Sequence, residues 1–251
     1  AAACGAVLRR AKALRFLWEG GRIVGVAADE AGSGLDIRAR LVIAADGASS
    51  VLAARTHRNP PEGRAVALRG YVQAQKAQDE YLHIHLFKAL GAGYAWLFPI
   101  TSHLVNVGIG TMLADSRCLD RSLPALLADF ANSEPVRDVL GAGELYDVAA
   151  WQLNLLRDDR SRVLPGLLLA GDAGGFVNAA TGAGISNALL TGRLAGEVAA
   201  EALAAGDSFQ CVLATYDPRS QAELDERMTV SRDMEQLLHI LLKASPSTSS
   251  V

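Results

Sequence analysis

Leu167-Leu-Leu-Ala-Gly-Asp-Ala-Gly-Gly-Phe-Val-Asn-Ala-Ala-Thr-Gly-Ala-Gly-Ile-Ser-Asn-Ala-Leu189 decides how the rest of the chain is read. Its first part, Leu167 to Ala170, is short and wholly apolar, the pattern of a strand buried on both faces. The run stops at Gly171-Asp172, which puts one acid at the carboxyl edge of the strand. Small residues follow, and Gly182-Ala183-Gly184-Ile185-Ser186 then opens a long helix of small residues. In an open α/β sheet, ligands sit in the crevice beyond the carboxyl ends of the strands. A loop without side-chain bulk lets something large lie against its backbone. The free N–H groups of a helix start favour an anion or an electron-rich edge. The bland alternative is a tight strand-to-helix turn with no ligand.

Leu41-Val-Ile-Ala-Ala45 repeats the arrangement and reads as a second buried strand, ending in Asp46-Gly47. Asp-Gly pairs are common turn formers, so Asp46 taken alone reads as structural. Two acid-tipped strand ends in one chain read as a site. The later segment resembles the second FAD fingerprint of flavoprotein oxidoreductases with the p-hydroxybenzoate-hydroxylase-like fold, and Asp46-Gly47 resembles that group's Ala-Asp-Gly motif. The resemblance implies that Asp172 hydrogen-bonds the ribitol of FAD, with Gly171, Ala173 and Gly174 beside it. It implies that the helix opened by Gly182, Ala183, Gly184, Ile185, Ser186 and Asn187 points at the pyrimidine end of the flavin. Asp46 and Gly47 would lie near FAD and, in several members, near the nicotinamide cofactor.

The balance of residues suits a globular chain. Half of its 251 residues are hydrophobic, 20% are charged and the formal net charge is −3, so a real core is possible and no basic excess points to nucleic acid. Cys4, Cys118 and Cys211 lie far apart, without zinc or CxxC spacing, and read as free thiols in a reducing, cytoplasmic compartment. The longest uncharged run, Ala173 to Gly192, is too rich in Gly, Asn and Thr to span a membrane. The start, Ala1-Ala-Ala-Cys-Gly, has no signal-peptide features. The nearest approach to Gly-x-Gly-x-x-Gly, Gly182-Ala-Gly184-Ile-Ser-Asn187, lacks the last glycine. The chain is therefore expected to be the later two-thirds or so of a larger flavoprotein whose first dinucleotide fingerprint it does not carry; the alternative is a natural protein that dispenses with the ADP-binding unit.

The first residues, Ala1 to Leu14, read as the tail of a helix and the strand after it. Arg22 to Ala28 and Leu35 to Arg40 alternate about a glycine-rich turn and read as a hairpin. His57 to Gly63 reads as a linker. Strand-like pieces follow at Ala65–Gln73, Glu80–Phe87, Gly93–Pro99 and Leu104–Thr111, as in an antiparallel sheet inserted into the FAD domain. His83 and His85 share a strand face, but no third ligand is evident and no metal is expected. Tyr94, Trp96 and Phe98 fall on one face by alternation and end at Pro99.

That segment, with the following Asn-Val-Gly, is similar to the Tyr-x-Trp-x-Phe-Pro signature of the geranylgeranyl reductase family, where it lines the isoprenoid tunnel. The resemblance runs from about Arg22 to Leu242. Ala183 departs from the acid of the family's Pro-x-x-Gly-Glu-Gly loop, whose proline is also replaced by alanine here, and Ser186-Asn187 replaces an aromatic pair. Two placements stay open for the aromatic face: a substrate wall of Tyr94, Trp96, Phe98 and Pro99, or ordinary sheet core. Halogenases of the same fold carry a comparable aromatic segment.

Beyond the sheet, Arg121–Asn132 and Pro135–Leu140 read as helices and Tyr146–Leu155 as a returning strand, with Trp151 expected to pack and a place near the substrate cavity as the alternative. Ile185–Ala205 reads as a long helix and Phe209–Tyr216 as a helix interrupted near Pro218. Gln221–Lys243 reads as a last helix whose apolar stripe packs on the substrate domain, closes the cavity or touches a membrane surface.

The expected fold is mixed α/β: a Rossmann-like FAD/NAD(P)-binding domain lacking its first βαβ unit, with an inserted antiparallel substrate sheet. The expected divisions are 1–56 and 159–206 for the FAD domain, 57–158 for the substrate sheet and 207–251 for the C-terminal helices. The resemblance implies an FAD-dependent reductase of isoprenoid double bonds, drawing electrons from NAD(P)H or ferredoxin. The alternatives are a flavin monooxygenase or halogenase, or a non-catalytic fragment that holds a lipid. No residue stands out as a proton donor.

Overall fold

The computed structural model describes residues 2–50, 52, 64–86, 88–91, 93–156, 161–179 and 181–225. The chain forms two compact units, one of residues 1–59 and 154–229, the other of 60–153 and 230–251.

In the first unit, β1 (Lys12–Glu19), β2 (Arg22–Glu30) and β3 (Ser33–Arg38) form an antiparallel meander. Both connections are two-residue turns with positive φ throughout: Gly20 and Gly21 at 56° and 77°, Ala31 and Gly32 at 53° and 86°. That is the geometry that matches the twist of the paired strands, and Ala31 holds it without glycine's freedom. A second sheet takes the order β10 (Val163–Leu164), β11 (Leu167–Leu169), β4 (Val42–Ala44), with β11 and β4 parallel.

The apolar run at β11 is explained by its neighbours. Leu167 and Leu169 pack with Phe16, Ile23 and Ala44, on the side of the meander. Leu168 and Ala170 pack with Leu190, Leu194, Val198 and Tyr216, on the side of the helices. A strand between two layers has no face to give to water, so alternation vanishes. The helices are α3 (Ile185–Ala204), α4 (Phe209–Leu213) and α5 (216–225).

In the second unit, five strands take the order β6 (His83–His85), β7 (Tyr94–Pro99), β8 (Leu104–Met112), β5 (Arg64–Gln73), β9 (Leu145–Asn154). The pairs β6–β7, β7–β8 and β8–β5 are antiparallel. Helices α1 (Leu123–Asn132) and α2 (Glu134–Leu140) cover one face, where Leu126, Leu127, Phe130, Val136 and Leu140 meet Leu68, Leu97, Val107 and Ile109. Ser122 caps α1 by accepting the Ala125 N–H, and Pro124 sits where a helix needs no N–H donor.

Four expectations change. Strand β4 is not buried throughout: Ile43 is 40% exposed, because β4 lies at the sheet edge and Ile43 is absent from the helix-side cluster. The strand expected over Glu80–Phe87 is confined to His83–His85, and Phe87 lies outside the described residues. Trp151 does not pack; it is 62% exposed on β9, an edge strand whose residues 146–152 are all exposed. The C-terminal helix starts at 216, after a break at 214–215, not at Gln221. Pro218 lies in its first turn, where its lack of an N–H does no harm. The linker at His57–Gly63 and the helix beyond 225 lie outside the described residues.

Candidate functional site

The two acid-bearing strand ends are neighbours. Leu169 is paired with Ala44 in the parallel ladder, and the Ala170 N–H continues it to Ala44 O at 3.0 Å. Asp46 and Asp172 therefore follow the same edge of adjacent strands. Gly47 takes a left-handed φ of 80° and lets the Ser50 N–H reach Gly47 O at 3.1 Å, closing a turn below an exposed Asp46.

After β11 the chain makes a single tight turn over Gly171–Gly174. Four buried side chains fasten it. Thr191 Oγ accepts the Gly171 N–H at 3.0 Å and donates to Asn187 O at 2.7 Å, within the first turns of α3. Tyr216 OH lies 3.0 Å from Leu169 O and 3.2 Å from Thr191 O and shares its one proton between them. Burial is the main cause that raises the Tyr216 phenol above its ordinary value. Arg162 donates from Nε to Gly174 O at 3.2 Å while its guanidinium lies 4.9 Å from the centre of the Phe176 ring. The fourth is Asn154, 2% exposed, whose Nδ2 donates to Ala48 O at 2.9 Å and to Asp172 O at 3.1 Å.

Asp172 turns its side chain towards the start of α3. A Cβ built on Gly184 would stand 3.2 Å from Asp172 Oδ1 and 3.2 Å from Val177 Cγ2, so the carboxylate rests where any larger residue would intrude. Burial raises the Asp172 carboxyl above its ordinary value. Gly184 is the N-cap of α3 and offers no side chain to its first N–H groups, so that end keeps donors for a ligand. The loop before it closes on itself: Asn178 Oδ1 accepts the Thr181 N–H at 3.0 Å, and Gly182 N–H donates to Asn178 O at 2.9 Å.

The residues expected around a cofactor divide by this geometry. Asp46, Gly47, Asp172, Ala183, Gly184, Ile185 and Ser186 keep some exposure along the cradle, as does Gly182. Gly171, Ala173 and Gly174 are buried and build the turn itself. Asn187 is directed inward and donates to Phe176 O at 2.8 Å. Ile185 is 82% exposed. The residues that fasten the turn (Asn154, Arg162, Thr191 and Tyr216) belong to no motif in the sequence. Asn154 and Thr191 leave only a polar side chain among apolar neighbours, whereas Arg162, although 5% exposed, ends a charged run, Arg157-Asp-Asp-Arg-Ser-Arg162, that reads as surface.

The second unit presents the aromatic face. Ala95 and Leu97 point into the core and are 0% exposed, so Tyr94, Trp96 and Phe98 lie on the side away from the helices. None of the three belongs to the helix-side core cluster, and all three are half-buried. The rings form a ladder, 5.7 Å between Tyr94 and Trp96 and 5.8 Å between Trp96 and Phe98, the latter pair stacked. Trp96 Nε1 donates to Asn106 Oδ1 at 2.9 Å. The indole crosses Gly108, where a Cβ would lie 2.1 Å from Trp96 Cζ2. Pro99 ends the ladder, half-buried. Ile84 is in register with Trp96 and shares this face, whereas His83 and His85 pair with Leu97 and Ala95 and face the core. His85 meets the edge of Phe130 at 5.2 Å. Among the described residues, no group of three or more His, Cys, Asp or Glu could hold a metal ion, and no helix is long and apolar enough to cross a membrane. A cleft of about 580 Å³ in the first unit, walled by Arg22, Arg38, Arg40 and Phe209, lies at the far end of α3 and contains none of these residues.

Residues 64–140 match the family model of the geranylgeranyl reductase catalytic domain. A digeranylgeranylglycerophospholipid reductase of Methanopyrus kandleri is 30% identical over 239 residues, covering 91% of this chain and 61% of its own length. That of Methanoculleus marisnigri is 33% identical, covering 86% of this chain and 54% of its own length. The chain thus spans little more than half of these relatives. Among solved structures, a geranylgeranyl bacteriochlorophyll reductase-like protein of Thermoplasma acidophilum superposes with a TM-score of 0.74 at 24% identity, over 96% of this chain and 64% of that one. The myxobacterial chondrochloren halogenase, an FAD-dependent enzyme, superposes with a TM-score of 0.70 at 21% identity, over 96% and 56%. These two likenesses establish the shared fold.

Proposed function

The chain belongs to the geranylgeranyl reductase family, and from that premise we propose that it acts as an FAD-dependent oxidoreductase that reduces carbon–carbon double bonds of an isoprenoid chain. The observation that carries the reading is the pairing of the two acid-tipped strand ends, Asp46 after β4 and Asp172 after β11, on one edge of one sheet.

The residues of this cradle fit a flavin nucleotide. Asp172 accepts hydrogen bonds, sits half-buried and lies against a glycine that leaves room. The uncapped start of α3 offers N–H groups to an electron-rich ring edge. Asp46, Gly47, Gly182, Ala183, Ile185 and Ser186 complete the lining. A hydrogen bond to a charged group contributes roughly 1.5–3 kcal/mol, so Asp172 orients the ligand more than it supplies affinity. When bound, the reduced flavin supplies a hydride to one alkene carbon, and a proton added at the next carbon completes the reduction. Tyr94, Trp96, Phe98 and Pro99 offer an apolar face to the isoprenoid, held by burial at about 0.8 kcal/mol per methylene. An alkene gives acid catalysis no handle, so the protein's task is alignment and exclusion of water.

The test is a spectrum and an anaerobic assay. The chain with FAD added should bind flavin and, with NAD(P)H or reduced ferredoxin as donor, should saturate a geranylgeranyl-type substrate without oxygen. Turnover that requires oxygen would instead assign a monooxygenase or halogenase. Lipid binding without any flavin binding would leave a lipid-holding fragment.

A further inference from the structure

Asn154 is the first residue of the segment that returns the chain to the first unit, and it holds three separate points of that unit's backbone. Its Nδ2 bridges Ala48 O, in the loop after Asp46, and Asp172 O, in the turn that carries the second acid. Its backbone carbonyl accepts the Val177 N–H at 3.3 Å, and the next residues continue this contact, with the Leu156 N–H donating to Val177 O at 2.7 Å. Val177 is the residue that, with Asp172, crowds Gly184 at the start of α3. One residue therefore pins the loop after β4 and the turn after β11 through its side chain, and the approach to α3 through its backbone.

The carboxamide is oriented by these contacts, since flipping it would set Oδ1 against two carbonyl oxygens. In this orientation Oδ1 is buried and has no hydrogen-bond partner among the described residues. A buried acceptor without a donor is a cost that native structures rarely keep without a reason. An apolar side chain of similar size would avoid it. Retaining Asn here secures the two donated bonds and nothing else.

We infer that Asn154 is a positioning residue that holds the two acid-bearing loops at a fixed spacing for the bound flavin nucleotide, acting through the backbone of Asp172. This rests on the flavin reading of the cradle. The Oδ1 of Asn154 is occluded, and the residue's effect is transmitted by where it sets the Asp172 turn.

The test compares Asn154→Leu, which keeps the size and removes both donors, with Asn154→Gln, which retains an amide donor. FAD and lumiflavin, which lacks the sugar-alcohol chain, serve as titration probes. In Asn154→Leu, FAD affinity should fall about tenfold, the size of one or two lost neutral hydrogen bonds, while lumiflavin affinity stays within about twofold. Asn154→Gln should recover part of the FAD affinity. In Asp172→Asn the FAD affinity should also fall, and the double variant Asn154→Leu with Asp172→Asn should bind no worse than Asp172→Asn alone. Equal losses for both probes, or additive losses in the double variant, would reduce Asn154 to a general stabiliser and overturn the inference. Wild-type chain that binds neither probe would defeat the flavin reading itself, which is a separate outcome.

Discussion

Gly108→Ala tests whether the aromatic ladder is held by the clearance that Gly108 leaves. An added Cβ would stand 2.1 Å from Trp96 Cζ2, 2.4 Å from Cε2 and 2.7 Å from Leu68 O. No real side chain tolerates such distances, so the indole must leave its place across β8. It then forfeits the Nε1 hydrogen bond to Asn106, about 0.5–1.5 kcal/mol, and its contacts with Tyr94 and Phe98, about 0.5–1.5 kcal/mol each. Replacing glycine within a strand returns about 0.5–1 kcal/mol of backbone entropy. The net expectation is a loss of about 0.5–4 kcal/mol in the stability of the second unit. Urea unfolding measures it, followed by Trp96 emission in a Trp18→Phe, Trp151→Phe background that isolates this ring. The emission should also shift to the red in the native state as the indole meets water. Adding Trp96→Ala, with unfolding followed by circular dichroism because the fluorophore is then gone, should cost less in Gly108→Ala than in the parent, because the clashing ring is already displaced; the contact with Leu68 O keeps that relief partial. A Gly108→Ala variant with parental midpoint and unchanged Trp96 emission would refute the reasoning.

Three further outcomes follow from buried polar groups. Burial raises the Asp172 carboxyl, so the native state binds more protons than the unfolded chain between the ordinary value of about 3.9 and the raised one; stability therefore falls as pH rises through that window and stays lower above it. Asp172→Asn should melt higher than the parent at neutral pH, lose that advantage in acid and bind FAD more weakly; equal melting temperatures at neutral pH would contradict this. His85 is shifted the other way, its imidazole lowered by burial and then by the neighbouring His83, so the native state resists protonation and stability is lost as pH falls below about 6.5. His85→Leu should flatten that dependence in melts between pH 7 and pH 5. Tyr216→Phe removes the proton shared by Leu169 O and Thr191 O and should cost about 1–2 kcal/mol in chemical denaturation, with no change expected in the second unit's Trp96 signal.

Much of this molecule could be read from residue order because the relevant physics is local. The unbroken apolar run before Gly171 required a strand covered on both sides, and the meander and helices supply the two layers. Alternation in Tyr94–Pro99 put three rings on one face, and the glycine pairs punctuated the hairpins. What alternation could not say was which face the core would take. That was settled when α1 and α2 packed on Leu97 and Val107, leaving the rings on the other side.

The same division holds at the cradle. Asp46 and Asp172 were legible as acids at strand ends, since a short apolar run and a following Gly-Asp or Asp-Gly are visible in sequence. That the two ends share a site was expected from the pair of motifs, but no local pattern fixes it, because it depends on β4 pairing with β11 across more than a hundred intervening residues. Nor could Trp151 be placed, since its exposure follows from β9 lying at the sheet edge. Sequence by itself determined the elements and the chemistry each can bring. Tertiary structure alone decided which acids share an edge and that Asn154 ties their loops together, because a side-chain bond to distant backbone carbonyls leaves no periodic or motif signature in the chain.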